Sequence, residues 1–156
     1  MHIARTGRFV FIAQWVAAVL LPLFVFLGRG LVGAQMGWMA VLGIVYGLFV
    51  IVVLLVPPVM TLFDRTVRRQ KTTRFAYDIS SFVLWGALLI AGLTIPDAGD
   101  GGPVDTALTV WTGGAIDNDA STFIFGMAGI VIGLAYLATL VTAIMGIVRW
   151  RRPVGA

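Results

Sequence analysis

Apolar residues in this chain neither alternate nor keep to one helical stripe; they run in four long blocks. Phe9 to Leu27, Trp38 to Phe63, Ile79 to Ile95 and Thr122 to Val148 each pass without a charged residue. A helix needs about 20 mostly apolar residues to cross a hydrocarbon core about 30 Å thick. Lipid-exposed open strands would leave backbone groups unpaired. The pattern therefore predicts an all-α integral membrane protein. It is read as one domain, 1–156, a four-transmembrane-helix antiparallel bundle with spans at about 9–27, 38–63, 79–95 and 122–148. The third span is the shortest, so the Tyr77 and Trp85 region is expected near the membrane boundary, or the bilayer to thin around it.

The polar segments divide the blocks. Gly28 to Gly37 is short and glycine-rich, which predicts a tight hairpin between the first two helices. Pro57-Pro58 removes two backbone donors, so the second helix is expected to kink or end near Val56, leaving Val59 to Phe63 at the interface. The stretch 64–78 is basic and helix-compatible. In it Asp64 and Arg68 are spaced to pair across one turn, and Asp78 to cap the third helix or meet its dipole. The longest polar segment, 96–121, opens with Asp97-Ala98-Gly99-Asp100-Gly101-Gly102-Pro103, read as turn-rich and mobile. Asp105 is read as the cap of a short element, Thr106 to Thr112, laying Leu108 and Trp111 on the membrane surface or the bundle mouth. The two hairpins share no motif, and no internal repeat emerges.

Composition removes two classes. With 60% hydrophobic and 12% charged residues and a mean hydropathy of +1.00, the chain is too apolar for a soluble domain, where about a quarter is charged, and for a disordered one. All seven acids are Asp, and Lys71 is the one lysine among eleven bases. This bias, in a glycine- and alanine-rich chain, points to a high-GC bacterial genome. Arg5, Arg8, the group from Arg65 to Arg74, and Arg149, Arg151 and Arg152 fall on one side of the spans; Arg29 stands alone on the other. The positive-inside rule then predicts a multi-pass protein of the bacterial cytoplasmic (inner) membrane, both termini and the 64–78 loop cytoplasmic and 96–121 outside. The N-terminus resembles a signal peptide ending at Val32-Gly33-Ala34, but its apolar run exceeds the usual 7–15 residues and is read as an uncleaved anchor. The pI near 10.4 is assigned to these flanking bases, and no nucleic-acid partner is expected.

Candidate chemistry is sparse. Without Cys there is no disulfide, thiolate metal site or catalytic thiol. His2 is the lone imidazole and makes neither a zinc site nor a pair of haem ligands. Asp117-Asn118-Asp119 starts like a calcium loop but has Thr122 in place of the turn glycine and Ala128 in place of the bidentate Glu. It is read as an acidic loop capping the fourth helix. No charge is expected at hydrocarbon depth, where transport pathways usually carry one. Gln14 is the intramembrane polar candidate, followed by Tyr46, Tyr136, Thr139 and Thr142.

Small residues are more informative. Gly43-x-x-x-Gly47 in the second span and Gly129-x-x-x-Gly133 in the fourth, with Ala128, Ala135 and Thr142 at seven-residue spacing, let helices approach closely. They are candidates for packing within the bundle or for docking a partner. Trp38 and Trp150 read as belt anchors. Arg65, Arg68, Arg69, Arg149, Arg151 and Arg152 are candidates for anionic lipid headgroups, each contributing about 1 kcal/mol near the surface. The expected role is non-catalytic and without cofactor: an accessory, stabilising or assembly subunit of a larger membrane complex, its partners membrane lipids and other membrane subunits or itself. The alternative is a self-associating pore or small transporter for an uncharged or weakly polar solute, with Gln14, Tyr136 or Thr139 lining the path. A lipid-modifying enzyme fits poorly, because no base, nucleophile and metal set converges.

Overall fold

The computed structural model describes residues 6–150, except for the side chains of Arg149 and Trp150. His2, Arg5, Arg151 and Arg152 lie outside the described residues, so the roles read for them rest on sequence. The chain is mostly helical. Four helices are long and apolar enough to cross a membrane: α1 (Gly7–Leu27), α2 (Trp38–Thr61), α4 (Phe75–Thr94) and α6 (Asn118–Trp150). Between them lie a 3-10 turn (Gly28–Val32), α3 (Arg65–Gln70), a two-stranded hairpin of β1 (Asp97–Gly99) and β2 (Gly102–Val104), and the short α5 (Ala107–Trp111).

α4 packs on both α1 and α6, and α2 packs on the same two. Half of α4's apolar window is buried (50%) against 17% for α2, so α4 is the inner helix and α2 the most lipid-facing. Ala18 and Val25 of α1, Leu54 of α2, Leu84 and Leu88 of α4, and Ala135 of α6 form the main core. α4 starts four residues earlier than hydropathy predicts, and its 20 residues match the crossing length without thinning. Trp85 accordingly sits mid-helix rather than at a boundary.

α2 does not stop at Val56. It continues through Pro57 and Pro58 and ends at Thr61, one turn beyond them. Pro57 removes the donor that would have met the Val53 carbonyl. The Tyr136 hydroxyl of α6 donates to that same carbonyl at 3.1 Å, and the Thr61 hydroxyl donates to the Pro58 carbonyl at 2.7 Å. The Tyr136 side chain thus replaces the donor lost at Pro57, as happens where proline is tolerated in membrane helices, while Thr61 satisfies a carbonyl of the last turn.

The two ends of the helices are closed by long-range polar contacts. At the end carrying Gly7 and Phe75, Asp64 does not pair with Arg68. Its carboxylate caps α3, accepting from the Thr66 N–H at 2.9 Å, and takes the Arg74 guanidinium at 2.8 Å. Capping turns the carboxylate back to the helix start, away from Arg68 one turn on. At the opposite end, the segment read as mobile is the β1–β2 hairpin, and Asp97 anchors it. Asp97 accepts from the Gly37 and Met39 N–H groups at 2.8 and 3.0 Å, capping α2 from a distance, and pairs with Arg29 at 3.0 Å. α5 is capped by Thr106, whose hydroxyl accepts from the Thr109 N–H at 3.1 Å. Asp105 instead accepts from the Asn118 amide at 2.9 Å.

Candidate functional site

Gln14 is 3% exposed and, like any amide at membrane depth, requires partners. It accepts from the Tyr77 hydroxyl of α4 at 2.7 Å and donates to the Phe11 carbonyl at 3.0 Å. Together with Ser81, Thr139 and the proline turn of α2, this pair lines a cavity of about 20 Å³. That volume holds roughly one water molecule. Thr139 faces it but spends its hydroxyl proton on its own helix, at the Ala135 carbonyl, 2.7 Å away. Tyr136 does not line it; its hydroxyl is committed to Val53.

Tyr136→Phe removes the hydroxyl that donates to the Val53 carbonyl. Membrane hydrogen bonds of this kind contribute about 0.6 kcal/mol on average and up to about 1.7. The expected result is a loss within that range, measured by denaturant titration of helicity in detergent micelles. Tyr46→Phe, at a residue 58% exposed, is the control and should change nothing.

Two charges missed by the hydropathy reading lie at or inside the span ends. Asp78, 1% exposed, sits in the first turn of α4, where it meets the helix dipole rather than capping it, the second of the two roles read from sequence. Its carboxylate accepts from the Thr6 hydroxyl at 2.9 Å and from the Thr73 hydroxyl. The Thr73 N–H also donates to the Gly7 carbonyl, at 3.1 Å. This ties the start of α1 to the start of α4. Arg29, also 1% exposed, is the second. Its Nη2 donates to the Asp105 carbonyl at 2.8 Å. Nη1 meets Asp97 as an ion pair without an aligned hydrogen bond, and Nε has no partner among the described residues. Each charge is neutralised or hydrogen-bonded by residues far away in sequence. The signal available beforehand was Arg29's isolation: a single base among five acids on its side.

The small residues separate into two groups. Gly43 and Gly47 are buried against Phe26 of α1; a Cβ at Gly43 would lie 2.4 Å from the Phe26 Cβ. This pair is used inside the chain. On α6, Ala128 and Ala135 (both 6% exposed) face the core, and Thr142 bonds to the Ala138 carbonyl at 2.8 Å. Gly129 and Gly133, with Gly126, lie on another face, and a Cβ added at any of the three would meet nothing within 4 Å among the described residues. Ile130, Leu134 and Leu137 stand exposed beside them.

The basic candidates Arg65, Arg68 and Arg69 lie exposed on α3, lining a shallow cleft with Thr66 and Gln70. Arg149 lies in the last turn of α6. Asp117 accepts from the Ala120 N–H at 2.7 Å, capping α6, and Asn118 reaches back to the Thr106 N–H at 3.2 Å. The suspected cation loop is thus engaged in helix capping. Among the described residues, no three His, Cys, Asp or Glu side chains gather into a metal site. No family model matches the chain, and neither a curated protein nor a solved structure shows similarity to it.

Proposed function

We propose that this chain is a non-catalytic accessory, stabilising or assembly subunit of a larger membrane complex, docked through the exposed face of α6. In this reading it is an antiparallel four-helix bundle in a bacterial cytoplasmic membrane, with both termini cytoplasmic. The observation that carries the proposal is the state of Gly126, Gly129 and Gly133. A glycine inside a helix costs about 1 kcal/mol relative to alanine, and small residues serve membrane helices by admitting a second helix. Gly43 does this within the chain against Phe26. The three α6 glycines have no such neighbour among the described residues, and exposed Ile130, Leu134 and Leu137 stand beside them. Arg65, Arg68 and Arg69 on α3 would meanwhile rest on anionic headgroups.

The pore reading draws less support. Gln14 and Thr139 share a cavity, but its volume of about 20 Å³ suits one bound water rather than a passage.

The test is purification from native membranes in mild detergent, with mass spectrometry of the proteins that travel with the chain. Gly129→Leu and Gly133→Leu should lower the yield of a specific partner at least fivefold while the chain's own abundance stays unchanged. Purification without a second protein species, together with solute flux after reconstitution of the chain alone, would overturn the proposal in favour of the pore.

A further inference from the structure

Phe9, Ile12, Ala13, Val16 and Leu20 follow one another along a single stripe of α1, at the three- and four-residue steps that place side chains on one helix face. With Trp85 and Leu89 of α4 they line a groove of about 560 Å³ that opens away from the protein. Small Ala13 forms its floor, and exposed Ile12, Val16 and Leu20 its rim. Its mouth is an aromatic stack: Phe82 lies 6.2 Å from Phe9, nearly parallel, and edge-on to Trp85 at 5.4 Å.

Two further observations select what fills it. Arg8 stands exposed one turn ahead of Ile12, next to Phe9 at one end of the groove, and no charged residue lines the groove itself. From Phe9 to Leu20 the groove runs about 17 Å at 1.5 Å per residue, close to the depth of one leaflet, about 15 Å. A phospholipid matches both: an apolar groove one leaflet deep for an acyl chain, and a cation at one end for its phosphate.

The geometry points to a binding site for one anionic phospholipid, its acyl chain in the α1–α4 groove and its phosphate on Arg8. The site is independent of the docking face on α6. Trp85 and Ala17 line both this groove and the Gln14 cavity, so the bound chain lies against the wall shared with the polar interior.

Trp85 reports the occupant. In a chain carrying Trp15→Phe, Trp38→Phe, Trp111→Phe and Trp150→Phe, Trp85 is the sole indole. The full chain is reconstituted into phosphatidylcholine vesicles holding one-fifth phosphatidylglycerol, with bromine on the acyl chains of one lipid at a time. For equal bromine content, brominated phosphatidylglycerol should quench Trp85 at least twofold more than brominated phosphatidylcholine, and Arg8→Gln should abolish the difference. In parallel, the chain with all its tryptophans, released from mild detergent in a native mass spectrum, should retain one phosphatidylglycerol that Arg8→Gln loses. Equal quenching by the two lipids, a preference unchanged in Arg8→Gln, or shielding of Trp85 from both lipids by a protein neighbour would each overturn the proposal.

Discussion

Asp97→Ala is expected to destabilise the protein by about 3–5 kcal/mol, because it leaves a buried charge without its counter-ion. Arg29 and Asp97 are each 1% exposed in their side chains, and among the described residues no other carboxylate is paired with Arg29. The same carboxylate caps α2 through the Gly37 and Met39 N–H groups, so the substitution also orphans a helix start. Arg29→Met should cost much less. It removes the charge that needs neutralising, fills similar volume, and leaves Asp97 accepting from three backbone N–H groups, Ala98 included. Denaturant titration in micelles, followed by helicity, compares the two. Equal losses would show that the ion pair is incidental and that packing alone holds this end.

Gly43→Leu should have the next largest effect and should act within the chain. The first added carbon already falls 2.4 Å from the Phe26 Cβ, and neither backbone can yield without separating α1 from α2. Overpacking of this kind costs about 1–3 kcal/mol, sometimes more. Gly129→Leu, with nothing within 4 Å of its Cβ position, should not destabilise the chain and, by helix propensity, should gain up to about 1 kcal/mol. The two variants therefore separate. One lowers thermal stability measured by size-exclusion after heating, and the other does not. A stable Gly43→Leu chain would mean that α1 and α2 are not in close contact at this glycine.

The helices were legible because an uncharged block of crossing length has few alternatives in lipid. What escaped was set by contacts remote in sequence. Phe75 to Asp78 reads as polar loop, yet it is the first turn of α4, because Asp78 finds hydroxyls on Thr6 and Thr73. The glycines and aspartates of 97–104 signal a mobile turn, yet the segment is a paired hairpin held by Arg29. The small residues of α6 look like one stripe, but adjacent helical positions lie about 100° apart. Ala128 and Gly129 therefore face different surroundings, the first inside the protein and the second outside. Periodicity did not reveal which was which; the neighbouring helices decided it. Gln14 was recognisable as a buried amide, but its partner Tyr77 lies 63 positions away.

The Tyr136 hydroxyl and the Val53 carbonyl are separated by 83 positions along the chain. At about 5–20 residues per second of synthesis, roughly 4–17 s pass between the emergence of α2 and that of the side chain that completes it. For that interval the proline turn has no donor within its own helix and must be hydrated. The hydrogen bonding of the proline turn of α2 is therefore completed only once α6 has been made.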